Sequence, residues 1–400
     1  MLTNSRSIPS IELEDSLTTS PYQHDRDVHP LSSSRLSGNL GRQIDLSLPP
    51  KQDAIYLVEE FLNGFNSVFP LFDPASFTQL VHKLYSDNDR LSKSLGLWAA
   101  LHVVIALAHM IHAMRAGSLA EEETRKAWRN LTKSLGVVTE LAIRDTDMLG
   151  IQALLGMALF LQGHKEGVYP AAVLVAASIK LSYRLNLHRE DTDQHFTAIQ
   201  TEQRRRVFWI TYFLDKEFSS RLDQPPIQNN DDLDVKLPAR FPEDGLGHIY
   251  TADRTATINY FRLCVQLSII QNKIYRKLYS VCALKQSDET RLQSIRDLEI
   301  QLEQWKESLP SAFQPETMKQ ELPSSAILHM VILHLSYFNC MTLVHRMSVQ
   351  NKDWMTKVLA NFGPCLETSL NKAHQGFLSR SRTSIYLITL LSLDDHACTW

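Results

Sequence analysis

From about residue 52 onward, apolar positions recur every three or four residues, and glycine or proline interrupts the pattern only rarely. The period predicts helices near 91–116, 119–143, 147–163, 169–186, 201–222, 254–284, 288–308, 323–349, 352–375 and 382–393. Asp73 reads as the N-cap of a further helix, with Pro74 in its first turn. No segment alternates as a half-buried strand would, and the long interruption is a Pro- and Asp-rich loop at 223–253. Helices without strands imply an all-α fold, a multi-helix array of roughly ten to twelve helices in one large domain. That domain is expected over 51–393, between a Ser-rich tail (1–50) and a short tail (394–400) that reads as a truncated end.

Residues 201–222 are apolar around most of the helix circumference. Ile210, Leu214, Phe218 and Leu222 form one i, i+4 row, with Phe208–Tyr212 and Trp209–Phe213 on neighbouring rows. Such a helix is surrounded by other helices. Arg204, Arg205 and Arg206 are placed by this span in the first turn, where the helix dipole opposes positive charge. They therefore need specific acceptors, with Glu202, Asp215 or a neighbouring helix as candidates. A basic triplet beside aromatics can also be a nucleic-acid footprint, but these aromatics point into a core. In 288–308 the stripe Leu292, Ile295, Leu298, Leu302, Trp305 and Leu309 is too short for an independent coiled coil, so packing within the domain is favoured over a dimer seam.

Composition narrows the picture. Residues 1–50 hold ten serines, four arginines, no lysine and six acids, as a disordered tail does, and do not make a phosphate-gripping arm. The whole chain carries 41 basic and 44 acidic residues, a net charge of −3, so nothing pulls it globally toward nucleic acid. Five cysteines (Cys264, Cys282, Cys340, Cys365 and Cys398) are widely spaced, without a CxxC, and read as reduced core thiols. The N-terminus lacks the apolar stretch of a secretory signal. The most apolar window, 98–114, contains three histidines and is short for a bilayer. An intracellular soluble protein with no membrane contact is expected.

The segment "RRRVFWITYFLDKEFSSRLDQPPIQNNDDLDVKLP" (204–238) resembles the signature of the regulatory, or middle-homology, domain of fungal zinc-cluster transcription factors. On the helix, Arg205, Arg206, Phe208, Trp209, Asp215, Ser219 and Leu222 fit. Beyond it, Pro225, Asp231, Asp234, Val235, Leu237 and Pro238 fit, while Asp223 and Gln224 stand where the family has glycine and arginine. "FLNGFNSVFPLFDPASF" (61–77) is similar to the family's opening element. "AASIKLSYRLNLHRE" (176–190) resembles its helix end through Leu187, His188 and Arg189, and Asn186 replaces a glycine as the second choice for a left-handed cap. "LEIQLEQWKESLP" (298–310), with Trp305, and "YFNCMTLVHRM" (337–347), with His345 and Arg346, match two later helices, Met347 standing where the family commonly has proline. The resemblance covers about 55–390, and its residues are structural signature positions, not ligand contacts.

The resemblance implies a transcription regulator of RNA polymerase II genes, placed in the nucleus or else the cytoplasm, such as serve metabolic or secondary-metabolite clusters. It implies a small-molecule effector in an interhelical cavity and a homo- or heterodimer with a zinc-cluster factor. The family's DNA-binding module has six cysteines in about thirty residues around two zinc ions. No cysteine precedes Cys264, so no zinc or other cofactor and no direct DNA binding by this chain are expected. A missed upstream exon, a natural variant acting through a partner, and a domain adopted for another task all remain open. The runner-up reading is an interaction module that pairs with a full-length factor through helices such as 288–308.

Other signals weigh less. His102, His109 and His112 share a helical face, but no nearby carboxylate or thiol is expected to complete a metal site, and core or groove histidines are the commoner case. "NNDDLD" (229–234) has Val235 where an aspartate-rich metal motif needs an acid, so a solvated loop is expected, and "SDNDRLSKSLG" (86–96) lacks calcium-loop spacing. No GxSxG, GxxxxGK[ST] or HExxH occurs, which leaves an all-helical enzyme disfavoured.

Overall fold

The structure, a computed structural model, describes residues 46–347 apart from 87–93, 116, 144–146, 165–166, 191–195 and 316–321. The expected tail up to residue 45, the helices at 352–375 and 382–393 and the tail 394–400 lie outside the described residues.

The described chain is an all-α array. In order it forms α1 (Lys51–Asn63), α2 (Phe65–Val68), α3 (Pro74–Leu84), α4 (Leu95–Arg115), α5 (Ala120–Leu135), α6 (Val138–Ile143) and α7 (Met148–Leu161). There follow α8 (Val168–Arg184), α9 (Ala198–Arg221), α10 (Tyr260–Ile274), α11 (Val281–Leu284), α12 (Asp288–Glu307) and α13 (Ser324–Arg346). Side-chain caps start several of them. Asp73 accepts from Ser76 N at 2.8 Å with Pro74 behind it, Asp147 accepts from Gly150 N at 2.9 Å, and Ser287 caps α12.

Helices α4 and α7 form the centre. Both are apolar around the whole circumference and buried along most of their length, as an interior helix must be. α4 packs on α1, α5 and α7; from α7 the contacts run through α8 and α9 to α10, and α12 and α13 pack on α10 and on each other. Gly156 sets the closest approach at the centre, because a Cβ there would meet Val103 Cγ1 at 2.3 Å. The window judged short for a bilayer belongs to a 21-residue helix; Leu95–Arg115 and Ala326–Arg346 are both long and apolar enough to cross one by length and composition. Burial inside the fold accounts for the apolar character of α4.

Two expected helices are divided or shifted. The span 119–143 breaks at Gly136 and Val137 into α5 and α6. The span 254–284 opens instead with an antiparallel hairpin, β1 (His248–Tyr250) with β2 (Thr257–Asn259), in the register Ile249↔Ile258. Its turn is closed by Asp253, which accepts from Thr251 Oγ1 at 2.6 Å and from Thr255 N at 3.1 Å, while Arg254 takes a φ of 57°. Three-residue strands are too short to show an alternation, and Asn259 then caps α10. A π turn (Tyr275–Tyr279) separates α10 from α11.

Two helix ends use the left-handed backbone. Asn186 has φ 54° after α8, and Leu187 N returns to Ser182 O at 2.9 Å. Asp223 has φ 53° after α9, and Gln224 N returns to Ser219 O at 2.9 Å. Both are Schellman closures, the first with the asparagine that the sequence offers for it. The stripe on α12 faces inward: Ile295, Leu298, Leu302 and Trp305 are buried, Trp305 Nε1 donates to Leu263 O at 3.3 Å, and its ring stacks on Tyr337. It therefore packs within the domain, as favoured over a dimer seam.

Candidate functional site

Helix α9 begins a full turn earlier than its apolar pattern indicates. Thr197 accepts from Gln200 N at 3.2 Å while Gln200 Oε1 accepts from Thr197 N at 3.0 Å, a complete capping box. The three arginines consequently stand beyond the first turn, clear of the strongest dipole field. Arg204 donates to Leu185 O at 2.9 Å and lies 4.4 Å above the Phe196 ring. Arg205 bridges Glu202 (2.5 Å) and Glu190 (3.2 Å). Arg206 is buried and holds Asp244 through paired contacts. The triplet is thus engaged within the domain, and Glu202 is an acceptor as expected.

Asp215 is no partner of these arginines. Its Oδ1 accepts from Ile227 N (3.0 Å), and its Oδ2 from Gln228 N (2.9 Å) and from Lys216 Nζ (2.7 Å). Lys216 also donates to Gln228 O at 2.6 Å and sits 4.4 Å from the Tyr212 ring. Burial pushes the Lys216 ammonium below its ordinary range, against the pull of Asp215. This buried pair folds the start of the signature loop onto α9.

The other signature positions extend the same belt. Phe208 is buried edge-on to Trp209, whose Nε1 donates to Lys236 O at 2.8 Å. Tyr212 donates to Asn230 Oδ1 at 2.7 Å, where Asn272 Nδ2 also binds at 2.9 Å. Asp234 pairs with Arg189 as an isolated parallel bridge, and its N–H donates to His188 O at 3.0 Å. His188 lies against Tyr183, and burial lowers its pKa. Leu187 is buried, Leu237 packs on the core, and Pro238 O accepts from Arg262. Leu222 is half-buried and Pro225 exposed at the turn. Asp231 is exposed and bound to Arg276 at 3.1 Å, which holds its carboxyl low. Trp305, His345 (3.2 Å from Glu299) and Arg346 belong to the α12–α13 layer instead.

Another face of α9 lines a cavity of about 480 Å³ that is bounded also by α1, α2, α4, α5, α7, α10 and α13. Phe65, Phe69, Leu107, Met114, Phe160 and Ile332 give it a mainly apolar wall. Glu217 and Arg221, one helical turn apart, line it as well. Arg221 reaches Gln162 O at 3.3 and 3.4 Å and lies 6.0 Å from the Phe218 ring. Glu217 takes part in no hydrogen bond or ion pair among the described residues. Burial pushes its carboxyl upward, opposed by Arg221. Neither residue stands out in the sequence, because the walls come from helices far apart along the chain.

At the cavity's edge, Glu60 accepts from His112 Nε2 at 2.5 Å. His112 Nδ1 lies 3.5 Å and His109 Nδ1 2.7 Å from Glu123 Oε2, and Lys126 binds the other Glu123 oxygen at 2.9 Å. Carboxylates from α1 and α5 therefore do meet this histidine face, contrary to expectation; they are remote in sequence and are brought there by packing. His109, His112 and Glu123 form a donor set of the kind divalent ions accept, and each already has a protein partner. His102 stands apart, buried and 2.8 Å from Asn130 Oδ1.

Comparison with known proteins places these features in context. The family described as "Fungal specific transcription factor domain" matches residues 58–307. The chain is 40% identical, over 90% of its length, to an ABC-transporter-regulating transcription factor of Aspergillus oryzae and to one of Aspergillus fumigatus. It is 27% identical, over 88% of its length, to the Fusaridione A cluster transcription factor of Fusarium heterosporum. The chain spans 40% of the length of each Aspergillus protein and 65% of the Fusarium one. No solved structure matches it.

Proposed function

This chain belongs to the fungal specific transcription factor domain family, and on that premise we propose that it is the regulatory portion of a nuclear transcription regulator controlled through its interhelical cavity. The observation that carries the reading is the coincidence of the family match with a ligand-sized apolar cavity. Its volume lies within the range typical of small-molecule sites. Helix α9 contributes to both the cavity wall and the signature belt, so a molecule that prefers one position of α9 shifts the balance between two arrangements of the domain. The names of the Aspergillus relatives direct the proposal toward genes for ABC transporters. The arginine triplet of the belt is engaged internally, which leaves DNA contact to a zinc-cluster partner or to a segment beyond the described residues.

A fusion of the full chain to a heterologous DNA-binding module tests this in a fungal reporter strain. Reporter output should differ from that of the module alone, and Met110→Trp, which projects bulk into the cavity, should change it. Unaltered output from the native and variant fusions, with both present in the nucleus, would overturn the reading.

A further inference from the structure

Glu217 is an unusual group to find on a cavity wall. The surrounding surface is mainly apolar, and the carboxyl has no hydrogen-bond or ion-pair partner among the described residues. Leaving an interior acceptor unmatched is unfavourable, more so when it is charged. The adjacent cation does not remove the problem: Arg221 is turned toward the Gln162 carbonyl and the Phe218 ring, and it makes no ion pair with Glu217. Of the other basic groups that line the cavity, Arg115 pairs with Glu60 at 3.5 Å, and burial holds His164 below its ordinary range. Tyr260 and Cys264 come from α10, and His329 and Cys340 from α13. Burial pushes the Cys264 thiol up to about 12 and the Cys340 thiol higher than its ordinary range, with Glu217 adding to both, so these thiols stay neutral.

We propose that the cavity selects apolar organic amines, seated with the basic nitrogen donating to Glu217 and the hydrocarbon bulk against the aromatic and aliphatic walls. This rests on the reading of the cavity as an effector site and specifies the class of effector. Phe65, Phe69 and Phe160 offer ring faces and edges to the apolar part. The charge-assisted contact at Glu217 fixes orientation and discriminates among molecules of one shape. A carboxylic acid of the same shape meets Glu217 as a second acceptor and is disfavoured.

The test uses the purified full chain and three probes with one skeleton: diphenylpropylamine, diphenylpropanol and diphenylpropanoic acid. Calorimetric titration should show the amine binding about tenfold more tightly than the alcohol, with the acid weakest. Glu217→Gln should bring the amine to the level of the alcohol while leaving alcohol affinity unchanged. Met110→Trp, on another wall, should weaken all probes alike, and circular dichroism of both variants checks their fold. Equal binding of amine and alcohol, stronger binding of the acid, or an amine preference that survives Glu217→Gln overturns the amine class while leaving an effector site in place. Failure of all three probes to bind or to raise the melting temperature overturns the amine class together with the effector reading.

Discussion

The guanidinium of Arg206 meets the carboxylate of Asp244 through two parallel hydrogen bonds of 2.6 and 2.7 Å, across 38 residues of chain. Arg206 is buried on α9, and Asp244 belongs to the turn that leads into the hairpin. The contact thus fastens the far end of the signature loop, as Asp215 fastens its beginning. Asp244 itself is exposed, so a carboxylate left without its partner stays hydrated and only the charge-assisted bonds are lost. Arg206→Ala should therefore cost about 1–3 kcal/mol in urea denaturation. Burial acts to raise the Asp244 carboxyl, but the Arg206 bonds overcome it and hold the group below its ordinary range. A depressed carboxyl contributes stability above about pH 4 and loses it as pH falls through the folded-state value. Asp244→Asn should be less stable than the native chain at pH 7, with the gap closing in acid.

Asp215 and Lys216 should behave as a unit. Asp215→Asn leaves a buried ammonium beside a neutral amide and weakens two backbone contacts to the loop, at a cost of about 3–5 kcal/mol. Combining it with Lys216→Met removes the stranded charge and should recover part of that loss. Limited proteolysis between Pro225 and Asn230 should accelerate in the single variant more than in the double.

Asp223 holds a left-handed backbone with a side chain. Glycine takes that conformation without the steric penalty, roughly 1–2 kcal/mol, but gives back about 0.4–1 kcal/mol through its freer unfolded chain. Asp223→Gly should therefore raise stability by a few tenths to about 1 kcal/mol, seen as a higher melting temperature. Asp223→Val should lower it.

Gly156 offers a packing test. Gly156→Ala forces its methyl group on Val103 and should cost about 1–3 kcal/mol. Val103→Ala creates room for it, so the double variant should lose less than the sum of the singles. A double-mutant cycle in urea measures the coupling, expected at about 1 kcal/mol.

Local chemistry made much of the fold legible in the sequence. Asp73 and Pro74 announce α3, Asn186 announces the end of α8, and the apolar rows of 201–222 identify a core helix. Thr197 with Gln200 carries an equally local start signal that lies outside the apolar run, which displaced the arginines in the expected geometry. The hairpin was hidden because Ile249 and Ile258 are the buried members of strands only three residues long. The site was less legible for a different reason. Glu217 is ordinary as a letter, and its distinction is the absence of a hydrogen-bond or ion-pair partner among the described residues after eight helices, its own included, have assembled around the cavity. Glu60 and Glu123 likewise gain their histidine neighbours only through packing.

The solitary carboxyl of Glu217 has a consequence for how the domain would count its ligand. Burial favours the protonated carboxyl, and an ammonium ligand favours the carboxylate. Hydronium and an ammonium ligand are then rivals for one atom, and binding of the amine displaces whatever proton that carboxyl holds. Below the folded-state pKa of Glu217, with the amine charged, apparent affinity should climb about tenfold per pH unit. The same titration run in buffers of different ionisation enthalpy would expose that exchange as heat.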